Sequence, residues 1–524
     1  MDYLAKNWVI LILMLIYGLF CLLAGWYFKT KASKGVNEYF IAKREIPGWV
    51  VALAFFSTFI STNTYIGQAG KAFETGLSWA WVGVFWTVLC MISWLVMGPR
   101  MRKQTANMGS VTIPDYFDFR YKSSLSKAIR LLSAFVILFA TIWYMAGIAK
   151  GCAHLLKSLL DIPYFWGAFL IIFITCAYTV WGGMYSVLWV DAIQGIMMFG
   201  VAIIMVLLPF VYVGGVGPLM AKISNIAHVT KAGTPMGDGL VTFCSLVSFM
   251  YIIGIGLSVG MKQIAEPRCL IRFYSVDNAR SMKFAMIATP IFLGISMVCV
   301  MGLGALVHGM TTAQEAAFLV KHTDQVIGFM LAKFNNPLLS GICMAGLFAA
   351  GMSSLASVTL IIGTAFMGDM VRVIKPMAED KVVIGTKWTM VVYCFIVFLV
   401  TLRPPAGIVE LTAFAGAVFA ASFFPAVFGG LYLRWGTGHG AFYSMLIGIV
   451  SCVSWRLFFR FTIPGMKDLH EIIPSFIISL LAYFIISWLT ADKVPDEQHL
   501  DQVFGEPRKE RRGVGLGEPQ PHAR

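Results

Sequence analysis

Charge is what this sequence has least of. Only 13% of its 524 residues are Asp, Glu, Lys or Arg, against 58% hydrophobic, whereas soluble domains carry about 25% charged residues. A chain so poor in charge is read as a polytopic membrane protein. Ordered cysteine spacing is missing too. The ten cysteines include no CxxC pair and nearly all fall in apolar runs, which suits neither a disulfide framework nor a zinc site; they read as small core hydrophobes. No P-loop occurs, and no kinase, nucleotide-binding or sensor segment is recognisable. No single face gathers an acid–base pair, a nucleophile triad or a metal-ligand cluster, so an enzyme reading has little to stand on. The net charge of +14 invites a nucleic-acid reading. The basic residues, however, sit mainly in short loops between apolar runs, which is a topology signal and not a binding patch.

Long apolar runs are what the chain has in abundance. A bilayer core takes about 20 apolar residues per helix, and windows of that size give thirteen spans: 7–28, 47–71, 77–99, 128–156, 164–183, 185–213, 240–265, 283–308, 337–369, 385–403, 407–433, 439–459 and 472–490. The first is too long for a signal-peptide core, and no A-x-A site follows it. With the N-terminus outside, the inner loops and tail hold 27 of the 40 Lys and Arg, while the outer loops 214–239 and 309–336 carry two Lys each. The positive-inside rule then places the N-terminus outside and the C-terminus in the cytoplasm, in the cell (inner) membrane. An interfacial helix is expected at Asp324 to Phe334. Residues 491–524 are polar, lack an apolar period and are expected to be a disordered cytoplasmic tail.

Three intramembrane features carry chemistry. In Ser57-Thr58-Phe59-Ile60-Ser61-Thr62-Asn63-Thr64 six of eight residues are polar, and Ser61 to Thr64 are consecutive, so no one helical face can hold them. Irregular backbone survives in hydrocarbon only where it lines a cavity. The stretch therefore predicts a helix that breaks to present carbonyls and hydroxyls to an ion and a solute; the alternative is an intact helix with hydroxyls bonded to the preceding turn. In the ninth span, Ala350, Ser353, Ser354 and Ser357 are spaced i, i+3, i+4 and i+7 and share a face. Their oxygens suit Na⁺, and the alternative there is packing by small residues. Asp191 lies a few residues inside the sixth span, and an intramembrane carboxylate usually marks an ion or proton path. Lys150, two turns from the outer end of span four, reads as a snorkelling lysine or as a counter-ion for an anionic solute.

These residues, with several loops, resemble the sodium/solute symporter family. Thr112-Ile113-Pro114-Asp115-Tyr116 through Arg120-Tyr121 is similar to its inner-loop motif. Tyr178-Thr179 through Gly182-Gly183 to Asp191 and Gln194-Gly195 resembles its signature. Pro267 through Arg272-Phe273 resembles the segment after its sixth core helix, and Ala350-Gly351-Met352-Ser353-Ser354 its sodium-site helix. The resemblance runs from about residue 8 to 490.

It implies an all-α, LeuT-like fold: a 5+5 inverted-repeat core with one extra N-terminal and two extra C-terminal helices. Residues 1–46 would hold the extra helix and a basic inner loop, 47–213 the first repeat, 214–239 an outer loop, 240–433 the second repeat and 434–490 the last two helices. The counterpart of the broken second span would be 240–265, interrupted at Gly254, Gly256 and Gly260. By the same resemblance, Na⁺ would be held by carbonyls of Ser57, Ile60 and Ala350 and hydroxyls of Ser353 and Ser354. A second cation would use Asp191 and Ser357, although Ala356 replaces one hydroxyl of that set. Ser61, Asn63, Thr64, Tyr144 and Thr412 would line the solute. Phe59 stands where proline-type relatives carry an aspartate. Glu266-Pro267 and Arg272 stand where sugar-type relatives carry an N-Q-…-Q-R run. The run Arg272-Phe273-Tyr274-Ser275-Val276 is most like the monocarboxylate and acetate branch. The expected activity is Na⁺-coupled uptake of a small organic solute, a carboxylate such as a monocarboxylate, by a bilayer-embedded monomer with no nucleic-acid partner. A transporter-like sensor, a proton-coupled or facilitative carrier, and sugar or amino-acid substrates are the alternatives.

Overall fold

The computed structural model describes residues 8–32, 35–226 and 237–505. Among them the regular backbone is helical, apart from one isolated bridge between Ile46 and Val276. Ten single helices are long and apolar enough to cross a bilayer, and a bent pair, Gly48–Phe59 with Asn63–Thr75, makes eleven. One of the ten, Tyr164–Val213, is 50 residues long, roughly 75 Å at about 1.5 Å per residue, more than twice a hydrocarbon core of about 30 Å. It divides at Gly183, whose φ of 52° and ψ of −148° are open essentially to glycine alone, and so supplies the expected fifth and sixth spans. The expected seventh is the shorter pair Phe249–Gly260 and Lys262–Ala265.

Burial separates centre from periphery. The most apolar window of Pro337–Ile374 is 100% buried, against 28% for Trp8–Ala32, Gly438–Phe459 and Ile472–Leu489. The three helices expected outside the repeats are thus the most lipid-exposed, and the ninth span is the axis of the core. Small residues let its neighbours approach. A Cβ on Gly346 would stand 2.6 Å from Val201, and one on Gly351 2.3 Å from the Cys152 sulfur.

Two spans are broken, by different means. In the second span the helix ends at Phe59, Ile60 is extended (φ −76°, ψ 125°), and the two halves meet at 50°. Hydroxyls do this. Thr64 Oγ1 accepts the Ser61 N–H (3.3 Å) and Thr62 Oγ1 donates to the Ile148 carbonyl (3.1 Å), local bonds that compete with the helical ladder. In the second half of the molecule the break falls at Glu266, with nearly the same backbone (φ −78°, ψ 128°). Pro267 follows as the first residue of helix Pro267–Ser275. Proline drives its predecessor out of the helical region and is at home at a helix start.

The interruption expected at Gly254, Gly256 and Gly260 is therefore absent. These glycines lie in the continuous helix Phe249–Gly260 and serve close packing: a Cβ on each would stand 2.5 Å from His470, 2.8 Å from Phe85 and 2.5 Å from Leu89. The expectation of a disordered tail also needs correction. Glu497–Phe504 is a helix capped by Asp496, with Leu500 and Val503 buried. His499 Nε2 lies 2.7 Å from the Phe119 carbonyl and Arg434 pairs with Asp501 at 2.7 Å. One turn of apolar residues is too short to register as a period. Residues 506–524 lie outside the described residues. The outer-loop helix is present as Val326–Lys333.

Candidate cation and solute site

A helix that stops leaves its last carbonyls without intrahelical partners. The Ser61 N–H, which an unbroken helix would give to Ser57, goes to Thr64 Oγ1. The Thr64 N–H, due to Ile60, goes to the Ser61 carbonyl at 2.8 Å. The ninth span meets these freed oxygens. Ser353 Oγ donates to the Ser57 carbonyl at 2.9 Å and lies 3.3 Å from the Ala350 carbonyl. Ser354 Oγ donates to the Thr58 carbonyl at 3.1 Å. Ser57, Ile60, Ala350, Ser353 and Ser354 are all fully buried. The partial negative charge of a half-helix C-terminus points at this spot. The donors are neutral carbonyl and hydroxyl oxygens, and the hydroxyl protons can turn away. That set fits an alkali cation, and it joins the two distant segments that the sequence singled out.

Asp191 is fully buried beside it. Its Oδ2 accepts from Thr58 Oγ1 (3.0 Å), Ser357 Oγ (3.1 Å) and Arg272 Nη2 (2.7 Å). Arg272 Nη2 also lies 2.7 Å from Ser357 Oγ and bonds Thr58 Oγ1. Asp191 and Ser357 do come together, but the positive charge between them is the Arg272 guanidinium. The expectation of a second ion there is corrected accordingly: a tethered cation already meets the carboxylate. Asp191 Oδ1 has no hydrogen-bond partner among the described residues.

The expected solute residues divide. Tyr144 is buried, and its phenol neighbours the Ser354 and Ser61 hydroxyls. Ser61 and Thr64 are partly committed to starting the second half-helix. Asn63 Oδ1 accepts from Gln68 Nε2 at 3.3 Å. Thr412 turns away: its hydroxyl donates to Ile408 and Val409 of its own helix (3.0 and 3.1 Å), and its methyl would stand 3.3 Å from a Cβ on Gly147. Lys150 is no counter-ion for a solute, because it pairs with Asp324 of the outer loop at 3.0 Å.

Charged residues at the second break escaped the sequence reading as site residues. Arg268 Nε pairs with Glu266 Oε1 at 2.7 Å, and its Nη1 donates to the Thr58 carbonyl at 2.8 Å. Arg268 and Lys262 both approach the Tyr144 ring, 4.2 and 4.1 Å from its centroid. Lys262, Glu266, Arg268 and Arg272 are each 1% exposed. A lysine inside an apolar span was the available signal.

Two broken helices packed around a buried axis, the first ending at a neutral oxygen cluster and the second at buried charged side chains, define a LeuT-like secondary transporter. The described helices superpose on a substrate-bound, outward-open Na⁺-coupled sialic acid symporter with a TM-score of 0.75 at 17% identity, covering 92% of this chain and 97% of that one. Mhp1, a nucleobase-cation-symport-1 family transporter, gives 0.51 at 14% identity over 90% and 98%. In sequence, the osmoregulated proline transporter OpuE of Bacillus subtilis is 29% identical over 483 residues, 91% of this chain and 94% of that protein. A sodium/proline symporter of Staphylococcus aureus is 28% identical over 497 residues, 92% and 93%. The model of the sodium:solute symporter family matches residues 39–448. The chain belongs to the sodium:solute symporter family, a multi-pass membrane protein with Na⁺ as its coupling ion.

Proposed function

We propose that the protein takes up a small organic carboxylate with Na⁺, the ion bound by the carbonyls of Ser57, Ile60 and Ala350 and the hydroxyls of Ser353 and Ser354. One observation carries this reading: Ser353 and Ser354 reach the carbonyls of Ser57 and Thr58, so the broken second span and the ninth span close on one oxygen cluster. Na⁺ there replaces the Ser353 hydroxyl proton as the partner of the Ser57 and Ala350 carbonyls and holds the two spans in the solute-competent arrangement. The solute, seated around Tyr144 and Ser61, shares Ser354's neighbourhood with the ion. Coupling is reciprocal: whatever factor Na⁺ adds to solute affinity, solute adds to Na⁺ affinity.

The relatives' names bring proline into the same class, because acetate, pyruvate and proline all carry a carboxylate. The buried excess of Lys and Arg at the second break favours an acid over a sugar. With the N-terminus outside and the basic loops inside, inward Na⁺ movement runs down the membrane potential. One positive charge crossing 100 mV gains about 2.3 kcal/mol; a net anion such as acetate travelling with one Na⁺ forfeits that electrical share, whereas zwitterionic proline keeps it. A single chain contains every residue in this account, so a monomer suffices.

Reconstitution in proteoliposomes tests the reading. Accumulation of acetate, pyruvate or proline against its gradient is expected with an inward Na⁺ gradient and lost when choline replaces Na⁺ at fixed pH. Binding without Na⁺-dependent accumulation would instead make the protein a sensor.

A further inference from the structure

The second break brings a surplus of positive charge into the core. Lys262, Arg268 and Arg272 face two carboxylates, Glu266 and Asp191, and the pairing is one to one: Arg268 with Glu266 and Arg272 with Asp191, each at 2.7 Å. Lys262 is left over. It is 1% exposed, and among the described residues its ammonium makes no salt bridge and no hydrogen bond: Glu266, one turn on, attracts it at longer range but is paired with Arg268, and the contact it makes is with the face of Tyr144, 4.1 Å from the ring centroid. A ring face repays only part of the cost of burying an ammonium.

The side chain runs along a tight helix crossing. Gly416 of the eleventh span lets the Ser258 backbone approach, and a Cβ there would also stand 2.8 Å from Lys262 Cε. The stem thus lies against the crossing that Gly416 permits, and the head arrives at Tyr144. The Tyr144 phenol lies beside Ser354 and Ser61, so one side chain borders both the ammonium and the oxygen cluster of the first break.

We propose that Lys262 is the anchor for the solute's carboxylate, the incoming anion completing the charge balance that the chain leaves open. The proposal rests on the symport reading above and adds the residue that selects acids. Anion and Na⁺ then meet around Tyr144, the carboxylate at the second break and the ion at the first, and each lowers the cost of admitting the other.

The test is competition for Na⁺-dependent uptake in proteoliposomes by acid and amide pairs: acetate and acetamide, pyruvate and pyruvamide, proline and prolinamide. For Lys262→Gln, the acid concentration giving half-maximal competition is expected to rise about thirtyfold or more, while any amide competition stays within about twofold. Lys262→Arg should keep the preference for the acid. Saturable binding of radiolabelled Na⁺ by Lys262→Gln without solute, at whatever affinity, shows that the variant is folded. If the parent accumulates acids but Lys262→Gln weakens acid and amide equally, or neither, the anchor is wrong and the symport reading stands. If the parent accumulates no acid yet takes up a neutral solute such as glucose with Na⁺, the carboxylate class falls and the anchor with it.

Discussion

The two breaks share a backbone and little else. Ile60 and Glu266 have φ and ψ within a few degrees of each other. Yet the first break is made by a run of hydroxyls and offers uncharged oxygens, whereas the second is made by a proline and offers charged side chains. Neutral oxygens strip the water from a small cation without holding it irreversibly. Buried charges instead fix partners by sign and leave one cation unmatched. The difference teaches how one backbone break can serve two chemistries, and the proposed division of labour follows it: ion at the first break, solute anion at the second, with Tyr144 bordering both.

The largest expected effect breaks the second site. Arg272→Gln strips Asp191 of its partner in a fully buried setting, which costs about 3–5 kcal/mol. Folded protein recovered from detergent should drop sharply, and adding Asp191→Asn should restore most of it. Next comes the first site. Ser353→Ala or Ser354→Ala removes a hydroxyl oxygen from the cluster. At about 1.5–3 kcal/mol for a bond to a charged group, the Na⁺ concentration for half-maximal uptake should rise roughly ten- to a hundredfold, with protein abundance unchanged.

Smaller effects sharpen the contrast in how each break is made. Pro267→Ala keeps every charge but frees the chain at the second break. A loss of about 0.4–1 kcal/mol, read as a modest fall in melting temperature, is expected with Na⁺ half-saturation unaltered. Thr412→Val removes a hydroxyl that serves only its own helix. Solute half-saturation should stay within about twofold, because a bond of about 1 kcal/mol is lost away from the site.

What the sequence disclosed follows the same line. A run of four polar residues inside an apolar span announces the first break, and the spacing of Ala350, Ser353, Ser354 and Ser357 announces the face that meets it. Both signals are local. At the second break the glycines mislead and Pro267 carries the stronger signal: glycine inside a buried helix is as often a packing residue as a hinge, and Gly254, Gly256 and Gly260 pack. The pairing of Arg272 with Asp191 was illegible because it joins residues 81 apart in the chain. Lys262 lay in an apolar window that averages away a single charge.

Equilibrium binding of radiolabelled Na⁺ to the purified protein, without solute, bears most directly on whether the second and ninth spans together hold the ion. Saturable binding of one Na⁺ per chain is expected for the parent, and its loss over the same concentration range for the Ser353→Ala/Ser354→Ala double variant. A folded double variant that binds Na⁺ as the parent does would contradict the account.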